Sequence, residues 1–116
     1  MVDFVSRVDT WKAVTDRPAD RGGLSVAIIG DDGVRYYASH LSQVAEGIEP
    51  GVRVDAGQVL GLTGESGNAK GVYPQLHFGI SHPTTPDDWA VRRGEIWPQK
   101  YLQGWEHGEN LTPILP

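Results

Sequence analysis

The chain has 116 residues, of which 39% are hydrophobic and 22% charged, so it can fold as one small domain with its own core and is not typical of a disordered protein. Its net charge of -5 at neutral pH excludes the broad basic surface that nucleic acids require, and no nucleic-acid partner is expected. Cysteine is absent, which excludes disulfides and thiolate metal sites and leaves the redox compartment open.

The first predicted elements are short strands separated by turns. Fifteen glycines and eight prolines are spread along the chain and predict an all-β architecture. Residues 4–8 alternate weakly and are a candidate strand, whereas residues 10–23 are polar and predict a long loop. Residues 24–39 predict a hairpin with its turn at 30–33, and His40 falls at the end of the second arm.

The middle of the chain is rich in glycine. Residues 43–50 predict a loop, residues 51–64 predict very short strands between glycines, and residues 65–71 predict another loop. We give these glycines no ligand role, because positive φ values or close backbone packing explain them. The second glycine-rich loop leads into a strand.

Alternation over residues 75–80 predicts that strand. Leu76, Phe78 and Ile80 should face the core, and Gln75, His77 and Gly79 the opposite side. Gln75 and His77 are therefore expected to point the same way.

The last third of the chain predicts a loop followed by a helix. Residues 83–89 are rich in turn formers, with a turn suggested at Pro86. Residues 98–108 have proline in the first turn and glycine at the end, which is typical of a short helix. Tyr101, Leu102 and Trp105 would share one face of it and pack as a C-terminal cap. No stretch reaches the ~18 apolar residues of a membrane span, and the start has no export signal.

Several motifs together resemble the lysostaphin-type, or LytM-type, zinc metallopeptidases, which are peptidoglycan endopeptidases. The resemblance covers residues 22–81. It rests on these blocks in this order: Tyr37-Ala38-Ser39-His40-Leu41, then glycines and apolar residues through 51–64, then Ser66-Gly67-Asn68, then Gln75-Leu76-His77-Phe78-Gly79-Ile80. It implies an all-β fold of mainly antiparallel, two-layer type, like a duplicated hybrid motif, with a groove over one sheet. We expect residues 1–82 to form this β-rich domain and residues 83–116 to add a loop and a short C-terminal helix.

The resemblance also implies roles for three residues. In the family, zinc is held by a His-x-x-x-Asp motif and by the second histidine of His-x-His, which matches His77. The histidine of the Tyr-Ala-His-Leu block acts on the water and the transition state, and it matches His40. The first histidine of His-x-His matches Gln75, a degenerate catalytic position, because an amide cannot exchange a proton as imidazole does.

The metal ligands are incomplete. The histidines are His40, His77, His82 and His107, so the upstream His-x-x-x-Asp is missing. A catalytic zinc site generally needs three protein ligands and an open position for water. We therefore expect zinc binding to be weak or absent and the chain to be inactive as given, either as an N-terminally shortened sequence or as a degenerate family member.

Other candidate residues receive simpler interpretations. His82 and His107 are expected to be exposed, and the neighbouring Asp87 and Asp88 should diverge rather than act as a carboxylate pair. Trp89 could line the groove. If His40 and His77 belong to one site, their rings should lie within about 10 Å of each other.

Three functions remain open. The first is a zinc endopeptidase, or part of one, acting on peptidoglycan peptides. The second is a non-catalytic module that binds cell wall or regulates a partner hydrolase. The third is a lipoyl- or biotinyl-type carrier, for which Lys70 is the candidate attachment site. The chain itself leaves the location unknown, and the family implies the cell envelope.

Overall fold

The computed structural model describes residues 1–85 and 87–116. Its elements confirm the expected fold class, a mainly antiparallel β structure with a short C-terminal helix. No described helix is long and apolar enough to cross a membrane. The elements are β1 (Val2–Ser6), a 3₁₀ turn (Pro18–Asp20), β2 (Leu24–Ile29), β3 (Arg35–Val44), β4 (Gly61–Thr63), a second 3₁₀ turn (Gly67–Ala69), β5 (His77–Ser81), α1 (Trp89–Arg92) and α2 (Gln99–Glu106).

The five strands form one antiparallel sheet in which β3 is the central strand. β1 pairs with β2, and β2 pairs with one edge of β3. The other edge of β3 is shared, because β5 pairs with residues Arg35 to Ser39 and β4 pairs with residues Leu41 to Val44. His40 therefore lies at the junction between two short strands.

Two hydrophobic clusters pack on the sheet. The first is built from Val2, Val26, Leu41, Val44 and Ile48, all at most 5% exposed. The second joins the sheet to the C-terminal segment, and its buried members are Val34, Ile80 and Tyr101, with Trp105 packed against them. Burial of one such apolar side chain contributes about 1.5–3 kcal/mol relative to leaving it in water.

The predicted strands differ from the observed ones mainly in their limits. β1 begins at Val2 rather than residue 4, and β3 continues to Val44, so His40 lies inside the strand and not at its end. The strand runs on because β4 provides a second pairing partner beyond residue 40. The short helix α1 was not predicted, and the predicted turn at Pro86 lies outside the described residues.

The prediction of packing is wrong for two residues. Leu76 is 47% exposed because β5 begins only at His77, so no strand alternation directs its side chain inward. Phe78 and Ile80 do face the core. Leu102 is 42% exposed although it belongs to the predicted helix α2, since the C-terminal segment covers Tyr101 and Trp105 but leaves the next position open. The division of the chain at residue 82 stays a prediction.

Candidate functional site

A β-bulge in β3 places His40. Val26 pairs with Ala38 while Leu24 pairs with Leu41, so three steps along β3 oppose two along β2. Within the bulge His40 has a φ of 62°, a left-handed conformation that is uncommon for residues other than glycine. Strand alternation alone would send residues 38 and 40 to the same face, and a bulge re-aims a side chain. The His40 ring consequently lies near residues of the opposite face.

Ser66 fixes the His40 ring. Its carbonyl oxygen accepts a hydrogen bond of 2.9 Å from Nδ1 of His40. Because a carbonyl can only accept, Nδ1 carries the proton and Nε2 is left for other contacts. The Ser66 hydroxyl accepts from the backbone N–H of Leu24 at 3.0 Å and donates to the carbonyl of Leu41 at 2.6 Å. One serine thus ties the loop after β4 to both β2 and β3.

The same loop packs backbone to backbone against residues before β2. A Cβ on Gly67 would lie 2.1 Å from the carbonyl oxygen of Arg21, and Gly67 has a φ of 68°. The N–H of Asn68 donates to that Arg21 carbonyl at 2.9 Å. These contacts agree with the structural interpretation of the loop glycines, which need close approach or positive φ.

His77, at the start of β5, pairs with Ser39 on β3. Its Nε2 donates a hydrogen bond of 2.7 Å to the carbonyl oxygen of Arg93, so its free ring nitrogen is Nδ1. Gly79 makes this contact possible, because a Cβ there would lie 2.2 Å from the same oxygen.

The two histidines meet although 37 positions separate them in sequence. Their ring centroids are 6.3 Å apart, and the His77 ring also lies 6.1 Å from that of Tyr37. The first distance falls within the expected 10 Å. Gln75 lies before β5, where its N–H donates to the carbonyl of Gly64 at 2.9 Å. The roles assigned to His40, Gln75 and His77 stay predictions.

A cavity of about 160 Å³ opens between the two histidines and helix α1. Trp89 lines it, which is the alternative to core or lid packing that the sequence left open for this residue. Three arginines that were not predicted also line it, Arg21, Arg92 and Arg93. The adjacent pair Arg92-Arg93, three residues after Trp89, was the available signal. Its position at the cavity depends on helix α1, which was not predicted.

Arg92 is held beneath this cavity and is only 5% exposed. Its guanidinium carbon lies 3.7 Å from the centroid of the Phe4 ring and 5.8 Å from that of Tyr37, where cation–π attraction offsets part of the cost of burial. Burial lowers the pKa of Arg92, the nearby charge of Arg35 lowers it further, and Tyr37 and Asp3 act in the opposite direction. Arg35 is fully buried and pairs with Asp3 at 3.6 Å.

A second, wider groove of about 610 Å³ adjoins the first cavity and shares His77 and Arg93 with it. Trp97 lines this groove and is 88% exposed. A large exposed aromatic side chain beside a groove is typical of a binding surface.

The described residues do not fit the zinc site that the family implies. In residues 1–85 and 87–116, no group of three or more His, Asp or Glu side chains could hold a metal ion. His82 is engaged elsewhere with Glu95, and His107 is exposed. Asp88 caps α1 by accepting from the N–H of Val91 at 3.2 Å, in line with the interpretation that it is not half of a carboxylate pair.

Comparison with known proteins gives a consistent result. The model for peptidase family M23 matches residues 11–89. The L-Ala–D-Glu endopeptidase of Bacillus subtilis (strain 168) is 31% identical over an alignment of 93 residues, and the match covers 76% of this chain but only 27% of that relative. The chain thus spans about a quarter of the length of the curated relative it matches.

Two solved structures share the fold. The catalytic domain of lysostaphin from Staphylococcus simulans has a TM-score of 0.61 at 23% identity, covering 88% of this chain and 65% of that one. A mutant catalytic domain of the prophage-encoded M23 protein EnpA from Enterococcus faecalis has a TM-score of 0.52 at 24% identity, covering 75% and 61%. With 79 of its 116 residues matched by the family model, the chain belongs to peptidase family M23.

Proposed function

We propose that residues 1–116 form a domain of the M23 peptidase fold that binds peptidoglycan peptides and does not itself hydrolyse them. The observation that carries this proposal is the pair of histidines at the cavity. His40 and His77 lie together, and the hydrogen bond from each ring to a backbone carbonyl leaves its other ring nitrogen for contact with a ligand. The described residues supply no set of three metal ligands, and the sequence resemblance matches Gln75 to a catalytic histidine of the family.

The cavity is suited to binding because packing holds its walls in place before any ligand arrives. Ser66 bridges two strands and orients His40, while the Arg93 carbonyl orients His77. A pre-organised site loses little conformational entropy when a ligand binds. The 160 Å³ cavity is smaller than the roughly 300–1,000 Å³ of a typical drug-sized site. It would therefore take one or two residues of a peptide, and the adjoining groove at Trp97 would take the rest.

The proposed partner is peptidoglycan, and the proposed location is outside the cytoplasmic membrane, where that polymer lies. Support comes from the family match and from the relative named L-Ala–D-Glu endopeptidase. A cell-wall hydrolase is the other proposed partner, since a groove that binds the substrate without cleaving it could present it to an enzyme.

A second candidate function is zinc-dependent endopeptidase activity. The name of the Bacillus subtilis relative favours it. Engineering tests it, because an added N-terminal His-x-x-x-Asp segment together with Gln75→His should create activity, whereas Gln75→His alone should not. The carrier hypothesis has no such support. Lys70 directly follows a 3₁₀ turn, so it does not lie at the tip of a tight hairpin, and its ammonium group lies 3.5 Å from Asp9.

Indole N–H signals in a two-dimensional NMR spectrum test peptide binding. A soluble muropeptide should shift the signal of Trp89, which lines the cavity. Trp105 is the internal control, because its Nε1 donates to the Leu111 carbonyl at 2.9 Å, among the residues packed with helix α2. A spectrum in which Trp89 does not move at saturating peptide, or moves no more than Trp105, would contradict the proposal.

A further inference from the structure

Tyr37 brings to the cavity a hydroxyl group that lacks a hydrogen-bond partner within the described chain. The residue is only 7% exposed, and it lines the cavity together with His40 and His77. In residues 1–85 and 87–116, no group forms a hydrogen bond with this hydroxyl. Buried polar groups of folded proteins are nearly always hydrogen-bonded, so an exception requires an explanation. A ligand that enters the cavity and bonds to the hydroxyl provides one.

Gly22 leaves room for this hydroxyl at the cavity wall. A Cβ at position 22 would lie 2.4 Å from the Tyr37 oxygen and 3.3 Å from the Cβ of Ser39, so a larger residue would displace the oxygen. All three residues line the cavity. The Gly22 carbonyl also accepts a hydrogen bond of 2.8 Å from the backbone N–H of His40. The Tyr37 hydroxyl and the His40 backbone are thus held against the same glycine.

The ring that carries the hydroxyl is fixed by its surroundings. Tyr37 lies in the middle of β3, where it pairs with Ala27 on one side and with Gly79 on the other. Its ring meets the His77 ring edge to face, with the centroids 6.1 Å apart. A group held in place before the ligand arrives loses little conformational entropy on binding. The hydroxyl is therefore pre-organised for a contact.

The hydrogen-bonding groups at the cavity are complementary to a peptide group. A neutral imidazole has one donor nitrogen and one acceptor nitrogen. Since Nδ1 of His40 and Nε2 of His77 donate to backbone carbonyls, the remaining nitrogen of each neutral ring can only accept. The Tyr37 hydroxyl can donate. A peptide group offers the matching pair, an N–H that donates and a carbonyl that accepts.

We propose that Tyr37 contacts the bound peptide directly, with its hydroxyl donating a hydrogen bond to a peptide carbonyl while the histidine nitrogens accept peptide N–H groups. The inference rests on the proposed function and assigns a further specificity-determining residue to the same site. The sequence resemblance implies no role for this tyrosine. Because the contact is made to the uncharged peptide backbone, it requires no charged side chain on the ligand.

The variant Tyr37→Phe removes only the hydroxyl, and Tyr36→Phe is its matched control. Tyr36 is the neighbouring residue on β3, its hydroxyl donates to Asp32 at 2.6 Å, and it does not line the cavity. In calorimetric titrations with a soluble muropeptide, Tyr37→Phe should bind about fivefold more weakly than the wild type, because a peptide carbonyl loses its donor. Tyr36→Phe should bind as tightly as the wild type.

Thermal unfolding without ligand distinguishes a ligand contact from a structural role. Tyr37→Phe should keep its unfolding midpoint within about 1 °C of the wild type, because no hydrogen bond within the described chain is lost. Tyr36→Phe should lower the midpoint by about 2–5 °C, since the bond to Asp32 is lost. The two tyrosines should therefore show opposite patterns, one affecting binding and the other stability.

The outcomes separate this inference from the proposed function. Unchanged muropeptide affinity in Tyr37→Phe would overturn the role of Tyr37 and leave the function standing. The role would also be overturned if Tyr37→Phe lowered the unfolding midpoint as far as Tyr36→Phe, or if both variants weakened binding equally. If the wild type bound no muropeptide but still sedimented with peptidoglycan, the inference would be wrong and the function would stand. Absence of binding to both would reject both.

Discussion

The imidazoles of His40 and His77 face one cavity with their centroids 6.3 Å apart, and backbone carbonyl groups set the orientation of both rings. In His40 the bonded nitrogen is Nδ1, and in His77 it is Nε2. Metal-binding histidines commonly donate their second ring N–H to a carbonyl group in this way. The described residues retain that arrangement without a third metal ligand.

Zinc binding should accordingly be weak. Complete structural zinc sites in small peptides reach apparent binding free energies of ~10–16 kcal/mol at neutral pH, whereas His77 is the single residue that the resemblance matches to a zinc ligand. Calorimetric titration with zinc should show no stoichiometric site tighter than micromolar. The control is His77→Asn, which should leave the weak heat signal nearly unchanged. Stoichiometric binding tighter than micromolar that His77→Asn abolishes would refute this expectation.

Gly79→Ala should disturb the hydrogen bond that orients the His77 ring. The new methyl group would meet the Arg93 carbonyl oxygen at 2.2 Å, so the segment that accepts the hydrogen bond from His77 must move. We expect a loss of about 1–3 kcal/mol in the free energy of unfolding and a change in the ¹⁵N shifts of the His77 ring.

The matched control for that variant is Gly71→Ala. Gly71 has a φ of 83° and no atom within 4 Å of an added Cβ, so it should cost about 1–2 kcal/mol from backbone strain alone and leave the His77 ring unchanged. Identical ¹⁵N shifts of His77 in both variants would show that Gly79 does not control this histidine.

His40 should tolerate asparagine better than valine. Asparagine adopts positive φ readily, whereas a β-branched residue at 62° is a genuine outlier. In urea, the free energy of unfolding should be about 1–2 kcal/mol higher for His40→Asn than for His40→Val. Gln43, an exposed residue in the same strand, is the control. There the order should reverse, because Gln43 is not among the described residues with positive φ and valine is favoured in strands.

Ser66→Ala should destabilise the protein by about 1–3 kcal/mol, because the partly buried N–H of Leu24 and carbonyl of Leu41 lose their hydrogen-bond partner. Ser42→Ala is a suitable control, since that hydroxyl is exposed and makes only a long hydrogen bond of 3.4 Å to the Leu62 carbonyl. It should change stability by less than about 0.5 kcal/mol. Equal midpoints in thermal unfolding for the two variants would argue against the bridging role of Ser66.

The sequence predicts those parts of the site that depend on local pattern. Alternation along residues 77–80 correctly separates His77 from the core residues Phe78 and Ile80. The resemblance of the Tyr37 to Leu41 block to a known motif then brings His40 to the same place. Both inferences use short stretches of chain whose strand geometry is regular.

Features that arise from tertiary packing could not be predicted. The bulge at His40 appears only when the registers of two neighbouring strands are compared. Leu76 is exposed because β5 starts at His77, two residues later than the alternation over residues 75–80 suggests. Arg92 resembles a surface residue in sequence, and its burial depends on Phe4, which is 88 positions away.

Sedimentation with dye-labelled peptidoglycan in the presence of equimolar zinc tests the central claim most directly, because one sample reports both binding and hydrolysis. The account predicts that the protein enters the pellet with the sacculi and that dye in the supernatant stays at the level of the protein-free blank. Release of dye above that blank would show that residues 1–116 are catalytic. Protein that remained in the supernatant would show that they do not bind peptidoglycan, and either result would contradict the proposed function.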